Sequence, residues 1–176
     1  MIRDLGVFLM SEQRANSRTA RPSGPAHWES QQSWAEAAYD DIRANPDAEV
    51  IADRLLAVRR LDGLSGFGVA TIQGIRDHVF FEDHPLSDGW DGIVYRRYDA
   101  SADIAEAWLR LRAGRWMPED LALLEHEYAE ARFYADHPGA TYEEAHRAAN
   151  EVSDWQNDIP GPTGEDFAKA WRLQWA

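Results

Sequence analysis

No cysteine occurs in the 176 residues, only one of the eighteen cationic residues is lysine (Lys169), and no apolar run approaches the length that crosses a bilayer. Without cysteine there is no disulfide framework, no thiolate zinc site and no cysteine nucleophile, so any metal must rest on His, Asp and Glu. The N-terminal apolar stretch Leu5 to Met10 is too short to span a membrane and follows acidic Asp4. It resembles neither a transmembrane helix nor a signal peptide, so the expectation is a cytoplasmic protein. Met10 is a candidate alternative start to Met1, and the choice between them stays open.

Positive charge is also scarce, and the formal net charge is −13. A general nucleic-acid binder gains its affinity by neutralising phosphates, so that class is disfavoured, although a local basic patch is compatible with the total. The near-exclusive use of arginine suits bidentate contacts to carboxylate or phosphate, and equally reflects GC-rich coding. Phosphate-cradling glycine loops, nucleophile elbows and dinucleotide fingerprints are missing, Gly66-Phe67-Gly68 being too short a match.

What is present is a globule-forming composition, 44% hydrophobic with eight tryptophans. Residues 1–27 are expected to be a flexible tail and residues 28–176 a single, compact, mainly α domain of about six to seven helices with at most one short β-hairpin. Apolar spacing predicts a first helix from Trp28 that ends at Asn45-Pro46-Asp47. A second carries Val50, Ile51, Leu55, Leu56 and Val58 before a break at Asp62-Gly63. A third runs from Gly68 to Phe81. Asp88 to Gly92 is turn chemistry leading into a short strand over Ile93 to Tyr98, and Ser101 to Ala113 is amphipathic. Pro118 opens a long helix ending near Asp136, and Thr141 with Glu144 forms a capping box for the next. A last short helix is expected from Thr163 through Phe167 to Trp171.

The segment from residue 118 to residue 157 therefore reads as a helical hairpin, its two helices joined by Asp136-His137-Pro138-Gly139-Ala140 and packed antiparallel. Angular placement at 100° per residue puts Glu125, Arg132 and Asp136 on the solvated edge. His126, Glu127 and Glu130 fall on the border of the apolar face, and His146 and Asn150 on the border of the following helix. His126 and Glu130 stand one turn apart, the spacing at which two side chains grip one ion. His-Glu-x-x-Glu departs from the zinc-peptidase His-Glu-x-x-His by one carboxylate. Three readings remain open: a metal site on His126, Glu130 and His146, metal-free acid–base chemistry, or a structural ion pair at a helix interface.

Two more histidines, His78 and His84, lie where a helix passes into a loop, with Asp77 or Asp83 available to fix an imidazole tautomer. His78 joins His126, Glu127 and His146 as a candidate catalytic group. Arg96, Arg97, Arg110, Arg112 and Arg115, interleaved with Tyr95, Tyr98 and Trp108, form the best candidate substrate-binding zone for phosphate and bases, together with Asn150. The competing reading is a surface ion-pair network with Asp99, Asp103 and Glu106.

The order of Ile75-Arg76-Asp77-His78-Val79-Phe80, Tyr98-Asp99-Ala100 leading to Ile104-Ala105-Glu106-Ala107-Trp108 and Arg110-Leu111, Asp120 to Glu127 with Glu130, and Tyr142-Glu143-Glu144-Ala145-His146 with Ala149-Asn150 resembles the C-terminal effector modules of bacterial polymorphic toxins. The resemblance covers about residues 65–157. It implies a toxin acting inside a rival cell and neutralised by an immunity protein, with His126, Glu127, Glu130, His146 and Asn150 at motif positions. Such a module would be a hydrolase, with a nuclease favoured on a nucleic-acid substrate. The alternatives are a metallopeptidase-like domain and a non-enzymatic acidic immunity or adaptor protein. The cofactor is either none or a divalent metal ion.

Overall fold

The structure is a computed structural model that describes residues 28–90 and 92–158. The expected tail over residues 1–27 and the short helix opened by Thr163 lie outside the described residues. Within them the chain is mainly helical, with seven helices and one two-stranded antiparallel hairpin. The elements are α1 (Trp28–Ala44), α2 (Ala48–Arg54), α3 (Val69–Phe80), β1 (His84–Ser87), β2 (Ile93–Arg96), α4 (Ala102–Ala113), α5 (Pro118–Asp136), α6 (Tyr142–Val152) and α7 (Trp155–Asp158). No described helix is long and apolar enough to cross a membrane.

The described residues divide between two compact units. In the first, residues 28–41 and 100–106, α1 buries Trp34, Ala35, Ala38 and Tyr39 at helical spacing. The start of α4 is held by Ser101, whose Oγ accepts from the Ile104 N–H at 3.4 Å.

The second unit, residues 42–99 and 107–158 with Asp91 left aside, contains every side chain discussed below as a site. Its core includes Ile51, Leu55, Phe67, Ile72, Ile75, Phe80, Trp108, Leu111, Leu123 and Leu124. Helix α3 packs on α2 and on α5, and α5 packs on α6 and α7. At the start of α5, Pro118 supplies a preset φ, and the Asp120 carboxylate accepts the Met117 N–H at 2.9 Å. The turn into α6 reverses at Gly139, whose φ of +94° is costly for residues with a Cβ. The capping box then forms, the Glu144 N–H donating to Thr141 Oγ1 at 3.3 Å and the Thr141 N–H to Glu144 Oε2 at 2.9 Å.

Three local expectations are corrected. Helix α2 stops at Arg54 and does not continue through Leu55, Leu56 and Val58. The chain there turns into a loop closed by the Arg59–Ser65 bridge and by the Gly66 N–H on the Val58 carbonyl at 2.7 Å, which leaves Leu56 exposed. His84 lies in a strand and not in a loop or turn: β1 pairs with β2 in the register His84 to Arg96 and Ser87 to Ile93. Glu125 is buried and not solvated, because the Leu61 N–H donates to its Oε1 at 2.9 Å and the Arg60 guanidinium sits 3.6 Å away.

Candidate metal centre

Helix α5 carries the site because one stretch of it is buried in spite of its charge: His126, Glu127 and Glu130 are all almost fully enclosed. Glu130 is the hub, and its two oxygens face different sets of partners. Oε2 lies 3.1 Å from His146 Nδ1 and 3.6 Å from His126 Nε2. Oε1 accepts a short hydrogen bond from the Tyr98 hydroxyl and lies 3.3 Å from His78 Nε2. Residues separated in sequence by up to 68 positions, His78 to His146, therefore meet at a single carboxylate. Helices α3, α5 and α6 and the segment following β2 each supply one or more of them.

Each imidazole is oriented by a contact to its other nitrogen or to its face. His126 Nδ1 lies 2.8 Å from the Ser153 carbonyl, an acceptor only, so this nitrogen carries the proton and donates. In the neutral ring Nε2 is then the lone-pair atom turned toward Glu130. Ser153 is held in place because its Oγ donates to the Ala122 carbonyl at 2.9 Å. The His146 ring stacks on Tyr142 with centroids 5.1 Å apart and meets His126 edge-on at 4.9 Å. These are the secondary contacts that ligating histidines use to fix tautomer and direction.

The set His126, Glu130 and His146 offers three ligand atoms within 4.8 Å of one another. Two donors bound to one tetrahedral zinc at bonds of about 2.0–2.2 Å stand roughly 3.3–3.5 Å apart. The 3.1 and 3.6 Å separations from Oε2 bracket that value. Two histidines and one glutamate are a ligand set that leaves a further position for water or substrate.

Glu127 lies beside this set with its Oε2 3.8 Å from His78 Nε2. Burial, reinforced by the neighbouring Glu130 charge, pushes its carboxyl well above the usual carboxylate range. Burial acts the same way on Glu130, but the facing imidazoles of His126, His146 and His78 and the Tyr98 hydroxyl outweigh it and hold that carboxyl well below the range. His78 is pulled down by burial and pushed up more strongly by its hydrogen bond to Glu130 and by the Glu82 carboxylate 3.8 Å away, reaching about 9. The Tyr98 hydroxyl is raised by burial and by the Glu130 charge and so stays protonated, a donor to Oε1. Two adjacent carboxylates whose environments drive them apart are suited to different roles, one as a permanent anion and one as a proton acceptor near neutrality.

The structure thus brings together His78, His126, Glu127, Glu130 and His146. Among the described residues no hydrogen bond or ion pair joins Asn150 to them, and its Oδ1 is buried without a hydrogen-bond partner. The arginines go elsewhere. Arg110 forms a two-pronged pair with Asp120, and Arg112 lies 3.6 Å from Asp47. Arg96 pairs with exposed Asp99 at 2.8 Å, and Arg97 and Arg115 are exposed. Asp77 does not orient a histidine, since its Oδ1 accepts from Gln73 at 2.8 Å. Tyr98, Tyr142 and Ser153 were not in the sequence-derived set. Tyr98 was expected only as an aromatic interleaved with the arginines of the candidate substrate-binding zone.

Searches of family models, curated proteins and solved structures returned no match to this chain.

Proposed function

We propose that the second unit is a metal-dependent hydrolase in which His126, Glu130 and His146 hold a divalent cation and Glu127 is the general base. The observation that carries this reading is the division of the Glu130 carboxylate, with Oε2 facing two imidazole nitrogens and Oε1 held by Tyr98 and His78. A cation held by His126, Glu130 and His146 would supply Lewis acidity there, polarising a water so that it loses its proton near neutral pH. Glu127 would be the group to take that proton, its affinity for protons raised by burial. His78, between Glu127 and Glu130, keeps both carboxylates in place.

The resemblance to polymorphic-toxin effector modules supports placing this chemistry in an interbacterial toxin paired with an immunity protein. The first substrate reading is a phosphodiester, supported by exposed Arg97, which immediately precedes Tyr98, whereas Arg96, Arg110 and Arg112 are each engaged by an acid. A peptide bond is the second, favoured by Glu127 directly following a ligating histidine in a two-histidine, one-glutamate set.

Glu127→Gln should retain the metal and the fold while lowering hydrolysis about 10²–10⁴-fold, measured on RNA, DNA and an unfolded protein side by side, with metal content determined by elemental analysis. Full activity in Glu127→Gln, or in chelator-stripped protein, would sink this assignment. Loss of bacterial toxicity in the same variant, against a toxic wild type, tests the effector role.

A further inference from the structure

Beyond the centre on Glu130, His78 has a second nitrogen with its own partner. His78 is in the last turn of α3, and its Nδ1 faces Glu82 Oε2 at 3.8 Å while Nε2 faces Glu130. His84, the first residue of β1, lies against it, ring centroids 4.6 Å apart and nearly perpendicular. Tyr98 stacks flat on His84 at 4.0 Å.

The hydrogen bonds decide which nitrogens are free. His84 Nε2 is 2.7 Å from the His78 carbonyl, which can only accept, so Nε2 carries the proton and the neutral ring keeps its lone pair on Nδ1. An ionised Glu130 likewise only accepts, so it keeps a proton on His78 Nε2, and Nδ1, 3.8 Å from Glu82, is the atom a cation can take by displacing the proton that the two carboxylates favour there. Both rings are set in one tautomer by acceptors that are fixed parts of the fold, the arrangement in which ligating histidines are held. His78, Glu82 and His84 offer three ligand atoms within 4.8 Å of one another.

We propose that His78, Glu82 and His84 form a second divalent-cation site, distinct from His126, Glu130 and His146 in all its ligands. Two imidazoles and one carboxylate select a borderline ion such as Zn²⁺ over Mg²⁺ or Ca²⁺, which favour all-oxygen sets. The two sites differ in access. The Glu82 side chain is 58% exposed, whereas Glu130 is 3% and His126 2% exposed, so this second ion exchanges with solvent more readily. His78 spans them, reaching Glu130 with one nitrogen and the second ion with the other. An ion at this position also supplies positive charge to an anionic substrate group in a chain whose Arg110 and Arg112 are occupied by acids.

The test is a Zn²⁺ titration of the chelator-stripped full chain, read by calorimetry and by metal content after desalting, for wild type, Glu82→Gln and His146→Ala. Glu82 is an exposed side chain, so Glu82→Gln keeps the fold, verified by circular dichroism. The expected stoichiometries are two for wild type and one for each variant. A wild type binding one ion that Glu82→Gln also retains overturns the second site and leaves the Glu130 centre standing. One ion lost in Glu82→Gln but kept in His146→Ala supports the second site and overturns the centre. Two ions bound with unchanged affinity by Glu82→Gln also overturn the proposal.

Discussion

Asp47 and Glu130 are both buried carboxylates of the second unit, and their surroundings are made of opposite materials. Asp47 accepts from Trp108 Nε1 at 3.1 Å and faces Arg76 at 3.3 Å and Arg112 at 3.6 Å. Arg76 in turn donates through Nη2 to the carbonyls of Ile42, Arg43 and Asn45, closing the C-terminal end of α1. Guanidinium groups do not give up their protons, so this cluster has one state and serves to join elements. Glu130 is ringed by imidazoles and a phenol. Imidazoles can gain and lose protons where guanidinium groups cannot, so a similar burial produces a cluster whose charge can change, with His78 pushed up to about 9. Even the carboxyl groups respond differently, burial raising Asp47 in spite of its cationic neighbours while the histidines and Tyr98 draw Glu130 down.

The largest effect separating the two clusters is expected from Arg76→Ala, which removes a buried cation from Asp47 and from three carbonyls. The expected loss is about 3–5 kcal/mol in urea denaturation, with zinc affinity of the folded fraction unchanged. A loss below about 1 kcal/mol would erase the structural half of the contrast. Next is zinc itself: at 100 times its dissociation constant it should stabilise the wild type by about 2.7 kcal/mol, read as a thermal shift, with a smaller rise in His146→Ala. An unmoved wild type would make the Glu130 cluster as closed as the Asp47 one. Smaller again, Tyr98→Phe takes away the donor to Oε1 and should weaken zinc binding about 10–100-fold, seen by calorimetry, while leaving the Asp47 cluster intact. Thr141→Ala should cost only about 1 kcal/mol through the lost α6 cap, without altering metal stoichiometry.

The parts of this contrast that were legible from sequence are the local ones. Pro118, the Thr141–Glu144 pair and the one-turn spacing of His126 and Glu130 act within a few residues, and α5 and α6 begin where those signals place them. The long-range parts left no such trace. Glu125 has the helical angle of a solvated residue and is buried only because a loop some sixty residues earlier folds over it and donates Leu61 N–H. Tyr98 reaches Glu130 across 32 positions, and no periodicity in its own segment points there. His84 begins a four-residue strand containing Pro85, too short for alternation to show. The apolar spacing through Val58 mimics helix, yet those residues belong to a loop closed at Gly66. Arg110 and Arg112 illustrate the reverse problem, since a cationic run looks the same in sequence whether it meets phosphate or Asp120 and Asp47.

The partner that orients His126 is the main-chain carbonyl of Ser153, and this has a consequence for how the protein responds to mutational scanning. No side-chain replacement deletes that oxygen, so a survey of single substitutions would score residue 153 by its hydroxyl alone, through the bond to Ala122. The tautomer control would stay invisible in such a map. One residue inserted between His146 and Ser153 would expose it, because the frame shift turns a different carbonyl toward the imidazole while leaving every named side chain in the chain.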